Sequence, residues 1–141
     1  MKPQASAFLD KARELLDRAD AMLGIGLNED AGRAAYLAGL HAAQAFIFES
    51  TGRVFGKHSG VQREFARLVK SESSIDPELR AVLSRTYNLK AVADYETGPG
   101  SKISAESARA ALQAARRFVE RVIALVPPND HMSRAPGEPK P

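Results

Sequence analysis

Tyr87, Lys90 and Asp94 stand in the run SRTYNLKAVADYETG, residues 84–98. On a helix that turns by about 100° per residue they project within about 60° of one another, as a single stripe. A phenol, an ammonium and a carboxylate so placed can engage a ribonucleotide. The carboxylate repels phosphate unless it is bonded to base or sugar, so it is a poor substitute for a proton-shuttling histidine. The competing reading is a solvated helix edge. Leu79, Val82, Leu83, Thr86, Leu89 and Ala93 form an apolar arc beside the stripe, and Lys90 and Asp94 then make an i,i+4 ion pair that adds a few tenths of a kcal/mol.

A second spacing with chemical content is Arg53-x4-His58 in RVFGKH. A histidine can move a proton while an arginine stabilises charge developing on a phosphate, which is the equipment of a metal-independent ribonuclease. The pair spans a glycine-interrupted stretch, and a chain rich in arginine produces this spacing by chance. His41 lies in an apolar surround and reads as a hydrogen-bonded core histidine. The three histidines, His41, His58 and His131, form no metal-binding pair, so no metal or other cofactor is expected. Nucleotide-loop and nucleophile-elbow signatures are also missing; GIGLNEDAG imitates a glycine-rich turn, but no strand precedes it.

These residues must be carried by helices. One helix is expected from about Gln4 to Leu23, ended by Gly24 and Gly26, and a second from an Asn28 N-cap to about Ser50. The second is apolar or small nearly all round and so belongs at the centre of a bundle. TGRVFGKHSG (51–60) reads as a loop, followed by a short helix from about Val61 to Lys70. Asp76-Pro77 reads as a cap and first-turn proline opening a fourth helix to about Thr97. Ser104 opens a fifth helix, and the proline-rich end after Pro127-Pro128 reads as a disordered tail. The expected architecture is an all-α, up-and-down bundle of about five helices, with one domain over 1–126 and a tail over 127–141.

Composition agrees. A chain of 141 residues suits one core, able to bury roughly 68–70% of its unfolded surface. The absence of cysteine excludes disulfides and thiolate chemistry and is compatible with a reducing cytosol. No apolar run is long enough to span a bilayer, so no membrane partner is expected and a cytoplasmic location is the default. A net charge of +3 tolerates an RNA partner without demanding one.

Three motifs in order carry a family resemblance: RAAYLAGLHAAQAFIFESTG (33–52), KHSGVQREF (57–65) and LSRTYNLKAVADYETG (83–98). Over about residues 5–125 the chain resembles the HEPN superfamily, and more narrowly its small stand-alone prokaryotic proteins. The resemblance implies a bundle of four to five helices that forms homodimers, with polar residues of the fourth helix near the dimer cleft. It also implies a toxin–antitoxin-like setting, with a nucleotidyltransferase of the MNT type as antitoxin partner and RNA or a nucleotide as ligand. Arg33, Tyr36 and His41 match the second-helix pattern, where packing and hydrogen bonding are the first roles implied. Many members are metal-independent ribonucleases with an Arg-x4-6-His motif on the fourth helix. Here Lys90 stands at the arginine position and Asp94-Tyr95 where the histidine belongs. The expected function is therefore a module that binds RNA or a nucleotide through Lys90, Asp94, Tyr95 and Tyr87, with Arg53, His58, Arg33 and His41 as secondary candidates. The alternatives are a ribonuclease with a degenerate motif and a purely structural interaction module.

Overall fold

The computed structural model describes residues 1–70, 77–95 and 102–126, apart from the side chains of Leu79, Leu89 and residues 92–95. Among the described residues the chain is helical throughout its regular structure. The segments are α1 (Pro3–Gly24), α2 (Asn28–Thr51), α3 (His58–Val69), α4 (Pro77–Arg80), α5 (Val82–Tyr95) and α6 (Ala105–Leu125). The expected all-α bundle is what forms. The stretch assigned to the tail, 127–141, lies outside the described residues, as do Asp76 and Thr97.

Helix α2 is the central element and packs on α1, α3, α5 and α6. Its buried positions include Ala31, Ala34, Ala35, Ala38, Ala42, Ala43 and Ala45, distributed round the helix. Small side chains let four neighbours approach at once. At Gly39 the approach is closest: a β-carbon there would lie 3.2 Å from Leu83 Cδ2 on α5. Phe118 of α6 is buried against the same region, and Phe46, Phe65 and Phe118 form a run of rings with centroids 5.6 and 5.2 Å apart.

The helix ends follow local chemistry. Gly26, at φ +82°, occupies a left-handed position after α1. Its amide donates to Leu23 O and the Leu27 amide to Met22 O, the two bonds of a Schellman motif. Gly26 therefore supplies the reversal, while Gly24 stays inside the helix. Gly52, at φ +73°, closes α2 by donating to Phe48 O at 2.7 Å. The Ser104 hydroxyl accepts from the Ser107 amide at the start of α6, as expected of an N-cap. Ile103, one residue before it, packs with Ala108 and Ala31 as a hydrophobic staple.

Three boundaries differ from the sequence-based expectation. Asn28 is the first helical residue of α2 rather than its cap, and its buried Oδ1 has no hydrogen-bond partner among the described residues. Helix α3 starts at His58 and not at Val61, because Gly60 is accommodated in the first turn with Phe55 packed 3.6 Å from its β-carbon position. The fourth expected helix is broken at Ala81, whose amide is shared between Pro77 O and Glu78 O at 3.2 Å each.

His41 lies half-buried on the α1 side of α2, stacked on Phe8 with ring centroids 6.0 Å apart. Gln44 Nε2 donates to Phe55 O at 2.8 Å, which leaves Gln44 Oε1 to accept from His41 Nδ1–H at 2.7 Å. The chain from His41 through Gln44 thus ties the 52–57 loop to α2. Burial pushes the His41 pKa below its ordinary 6.5, opposed by the Gln44 hydrogen bond and reinforced by Lys11. The unfolded chain therefore binds this proton more tightly than the folded one. His41 contributes stability that is full above pH 6.5 and is lost as pH falls through the lowered folded value. The expected result is a lower Tm at about pH 5.5 than at about pH 7.5, with the difference reduced in His41→Gln. Thermal melts followed by circular dichroism at the two pH values measure it.

Candidate functional site

Helices α2 and α5 run antiparallel, with Gly39 against Leu83 and Tyr36 against Tyr87. Tyr36 is completely buried, and its ring meets the Tyr87 ring edge-on at 5.5 Å. His58, at the first position of α3, closes the group. Its ring centroid lies 5.4 Å from Tyr36 and 5.8 Å from Tyr87. Three rings from three helices therefore form one cluster, in which His58 and Tyr87 are only half-buried.

Tyr36 Oη and His58 Nδ1 are 2.7 Å apart. Burial pushes the Tyr36 phenol up to about 12, with a hydrogen bond from Gln62 acting against the rise and the Tyr87 phenol adding to it. The phenol keeps its proton, and its bond with His58 Nδ1 runs in the direction that the imidazole tautomer sets. Nε2 is the nitrogen not engaged by Tyr36. A histidine held by one nitrogen, with the other available, is oriented for proton transfer or for a hydrogen bond to a ligand.

Gln62, one turn after His58 on α3, meets the Ser84 hydroxyl at 3.5 Å as well as the Tyr36 phenol. One turn along α2 and α5 from the tyrosine pair, the antiparallel register brings Arg33 level with Lys90. Arg33 is held by Asp30 at 2.7 Å, and Lys90 is half-buried. The structure thus gathers Tyr36, His58, Tyr87 and Gln62 into one cluster, with Arg33 and Lys90 at its next level. Asp94 and Tyr95 belong to the last turn of α5, but their side chains lie outside the described residues.

Arg53 and His58 meet different partners. Arg53 is exposed and lies over the Phe55 ring at 5.3 Å, whereas His58 turns to Tyr36. His41 is separate from the cluster, engaged with Gln44 and Phe8. Among the described residues no group of three or more histidine, cysteine or carboxylate side chains is placed to hold a metal ion. Among the same residues no helix is long and apolar enough to cross a membrane. Gln62 carried no signal in the sequence beyond its i+4 spacing from His58. The Tyr36–His58 bond spans 22 positions and has no local signature.

Three comparisons bear on this arrangement. The family model for the HEPN domain matches residues 5–125. A Methanocaldococcus jannaschii protein named "Putative toxin MJ0605" is 29% identical over 122 residues, covering 86% of this chain and 88% of that protein. The crystal structure of TT1696 from Thermus thermophilus superposes with a TM-score of 0.71 at 22% identity. It covers 87% of this chain and 98% of that one, a likeness of fold.

Proposed function

The chain belongs to the HEPN domain family, and from that premise we propose that it binds RNA or a nucleotide as the toxin-like half of a toxin–antitoxin-like pair. The partner in this reading is an MNT-type nucleotidyltransferase, and the protein acts in the cytosol as a homodimer. The observation that carries the reading is the meeting of His58, Tyr36 and Tyr87 beside the Lys90 level of α5. Tyr87 offers a ring for a base, His58 Nε2 a hydrogen-bonding nitrogen, and Lys90 a charge for phosphate. The relative named as a toxin supports the biological setting.

A second reading, a metal-independent ribonuclease, is favoured by one feature. The family's fourth-helix histidine is absent from α5, but tertiary packing brings His58 against Tyr87 on that same helix. His58 would then serve as the proton carrier and Lys90 as the phosphate charge.

One experiment separates the readings. Pure protein is incubated with a mixed RNA pool in EDTA, beside Lys90→Ala and His58→Ala variants checked for folding by circular dichroism. On the first reading wild type retains RNA without cutting it, both variants bind at least about tenfold more weakly, and saturating ligand raises stability by about 2.7 kcal/mol at 100 times its Kd. Cleavage by wild type that disappears in His58→Ala establishes the second. Neither binding nor cleavage would leave a protein-interaction module.

A further inference from the structure

A second groove lies on the other side of α5, between α4, the first half of α5 and the outer face of α6. Its larger compartment, about 480 Å³, is lined by Glu78, Val82, Arg85, Ala114, Arg117, Glu120 and Arg121. A smaller one of about 260 Å³ adjoins it across the shared Val82, Arg85 and Ala114, with Thr86, Ser107, Ala110 and Ala111 on its walls. The two ends differ in chemistry. Alanines at 110, 111 and 114 make a shallow apolar shelf, while three guanidiniums converge at the other end.

Among the described residues those guanidiniums are poorly neutralised. Arg85 approaches Glu78 at 4.0 Å, with both side chains well exposed, and such a pair is worth little. Among the described residues Arg117 and Arg121 form no ion pair with any carboxylate, although Glu120 lies between them in sequence. One helical turn separates Arg117 from Arg121, so both project from α6 on the same side. Planar, permanently charged forks at this spacing suit phosphate oxygens. The adjoining alanine shelf offers an apolar surface for the face of a base, and the combined space falls in the range of small-ligand sites.

We propose that this α5–α6 groove binds the phosphate of a nucleotide, free or within an RNA strand, through Arg85, Arg117 and Arg121, with the base on Ala110, Ala111 and Ala114. It is distinct from the Tyr36–His58–Tyr87 cluster and rests on the nucleotide-binding reading only for the identity of its ligand class. Charge complementarity selects this occupant over an apolar peptide, since an apolar partner would desolvate three guanidiniums against only two carboxylates, Glu78 and Glu120. Glu120 and Glu78 lower the affinity and would limit the groove to phosphates held by several arginines at once.

Fluorescence anisotropy with a labelled single-stranded RNA 12-mer tests this with the full chain, at a series of salt concentrations and with ADP as competitor. Arg117→Ala/Arg121→Ala is expected to weaken RNA binding about tenfold and to reduce the slope of log K against log salt by about 1.4, at about 0.7 per lost phosphate contact. Both residues are exposed at the arginine end of α6, so the fold should be unaffected. Glu120→Gln should tighten binding by removing a repelling carboxylate. Competition by ADP that weakens in Arg117→Ala/Arg121→Ala assigns the groove to free nucleotides; no competition in wild type, with RNA binding intact, assigns it to the strand. If the double variant binds RNA with unchanged affinity and slope while Lys90→Ala or His58→Ala abolishes binding, the groove proposal fails and the first site stands. If the double variant alters only oligomeric state, the groove is a protein interface and the proposal is overturned. If wild type binds neither probe, both fail.

Discussion

Phe118→Ala should lower the free energy of unfolding by about 3–5 kcal/mol, a large part of the roughly 5–15 kcal/mol expected of a domain. Phe118 is 1% exposed on α6. Its ring lies 5.2 Å from that of Phe65 on α3 and reaches within 3.9 Å of the β-carbon position of Gly39 on α2. Little nearby could fill the space, because one turn back on α6 Ala115 is small and α2 presents alanine and glycine there. A cavity would therefore remain, bounded by helices whose backbones are already in close contact. Urea unfolding followed by circular dichroism measures the loss, and Phe118→Leu should lose clearly less. A change under about 1 kcal/mol for the alanine variant would show that the helices close over the gap and that the Gly39 approach does not fix their spacing.

Tyr36 separates packing from polarity at the candidate site. Tyr36→Ala should destabilise by about 3–5 kcal/mol, since a completely buried ring is lost from the contact between α2 and α5. Tyr36→Phe keeps the ring against Tyr87 and deletes only the 2.7 Å bond to His58. Its expected loss is about 1–2 kcal/mol, because a partly buried imidazole nitrogen and Gln62 are left without their partner. The functional effect should exceed the structural one. Freed from Tyr36, His58 can rotate, so nucleotide or RNA binding should fall by more than in Gln62→Ala, which leaves the phenol–imidazole bond in place. A double-mutant cycle with His58→Ala should return a coupling energy of about 1 kcal/mol or more. Additive effects would show that the two side chains act independently and that the cluster is packing alone.

The helices were legible because their signals are local. The apolar, small-residue character of 28–51 identified the central helix, and Ser104 with Ser107 identified the start of α6. Boundaries moved where a local rule had two candidates. Gly24 and Gly26 both look like helix stops, and only the hydrogen bonds to Leu23 O and Met22 O show that Gly26 makes the reversal. Gly60 read as a loop residue, yet packing by Phe55 allows it inside the first turn of α3 and so makes His58 helical.

The candidate site was legible only in pieces. Tyr87 and Lys90 could be placed on one stripe because a single helix carries both, and Tyr36 could be placed on the central helix. Sequence proximity paired His58 with Arg53, five residues away on the same loop. The fold pairs it with Tyr36 instead, 22 residues away. The physical reason is the difference in range between the forces involved. Helix formation and capping are set by neighbours within about four positions, so the sequence alone determined the helices and the faces they bury. Which polar groups meet is set by the antiparallel register of α2 on α5 and by the tether from Gln44 to Phe55 that delivers α3. Those contacts join distant parts of the chain, and only the tertiary structure decided them.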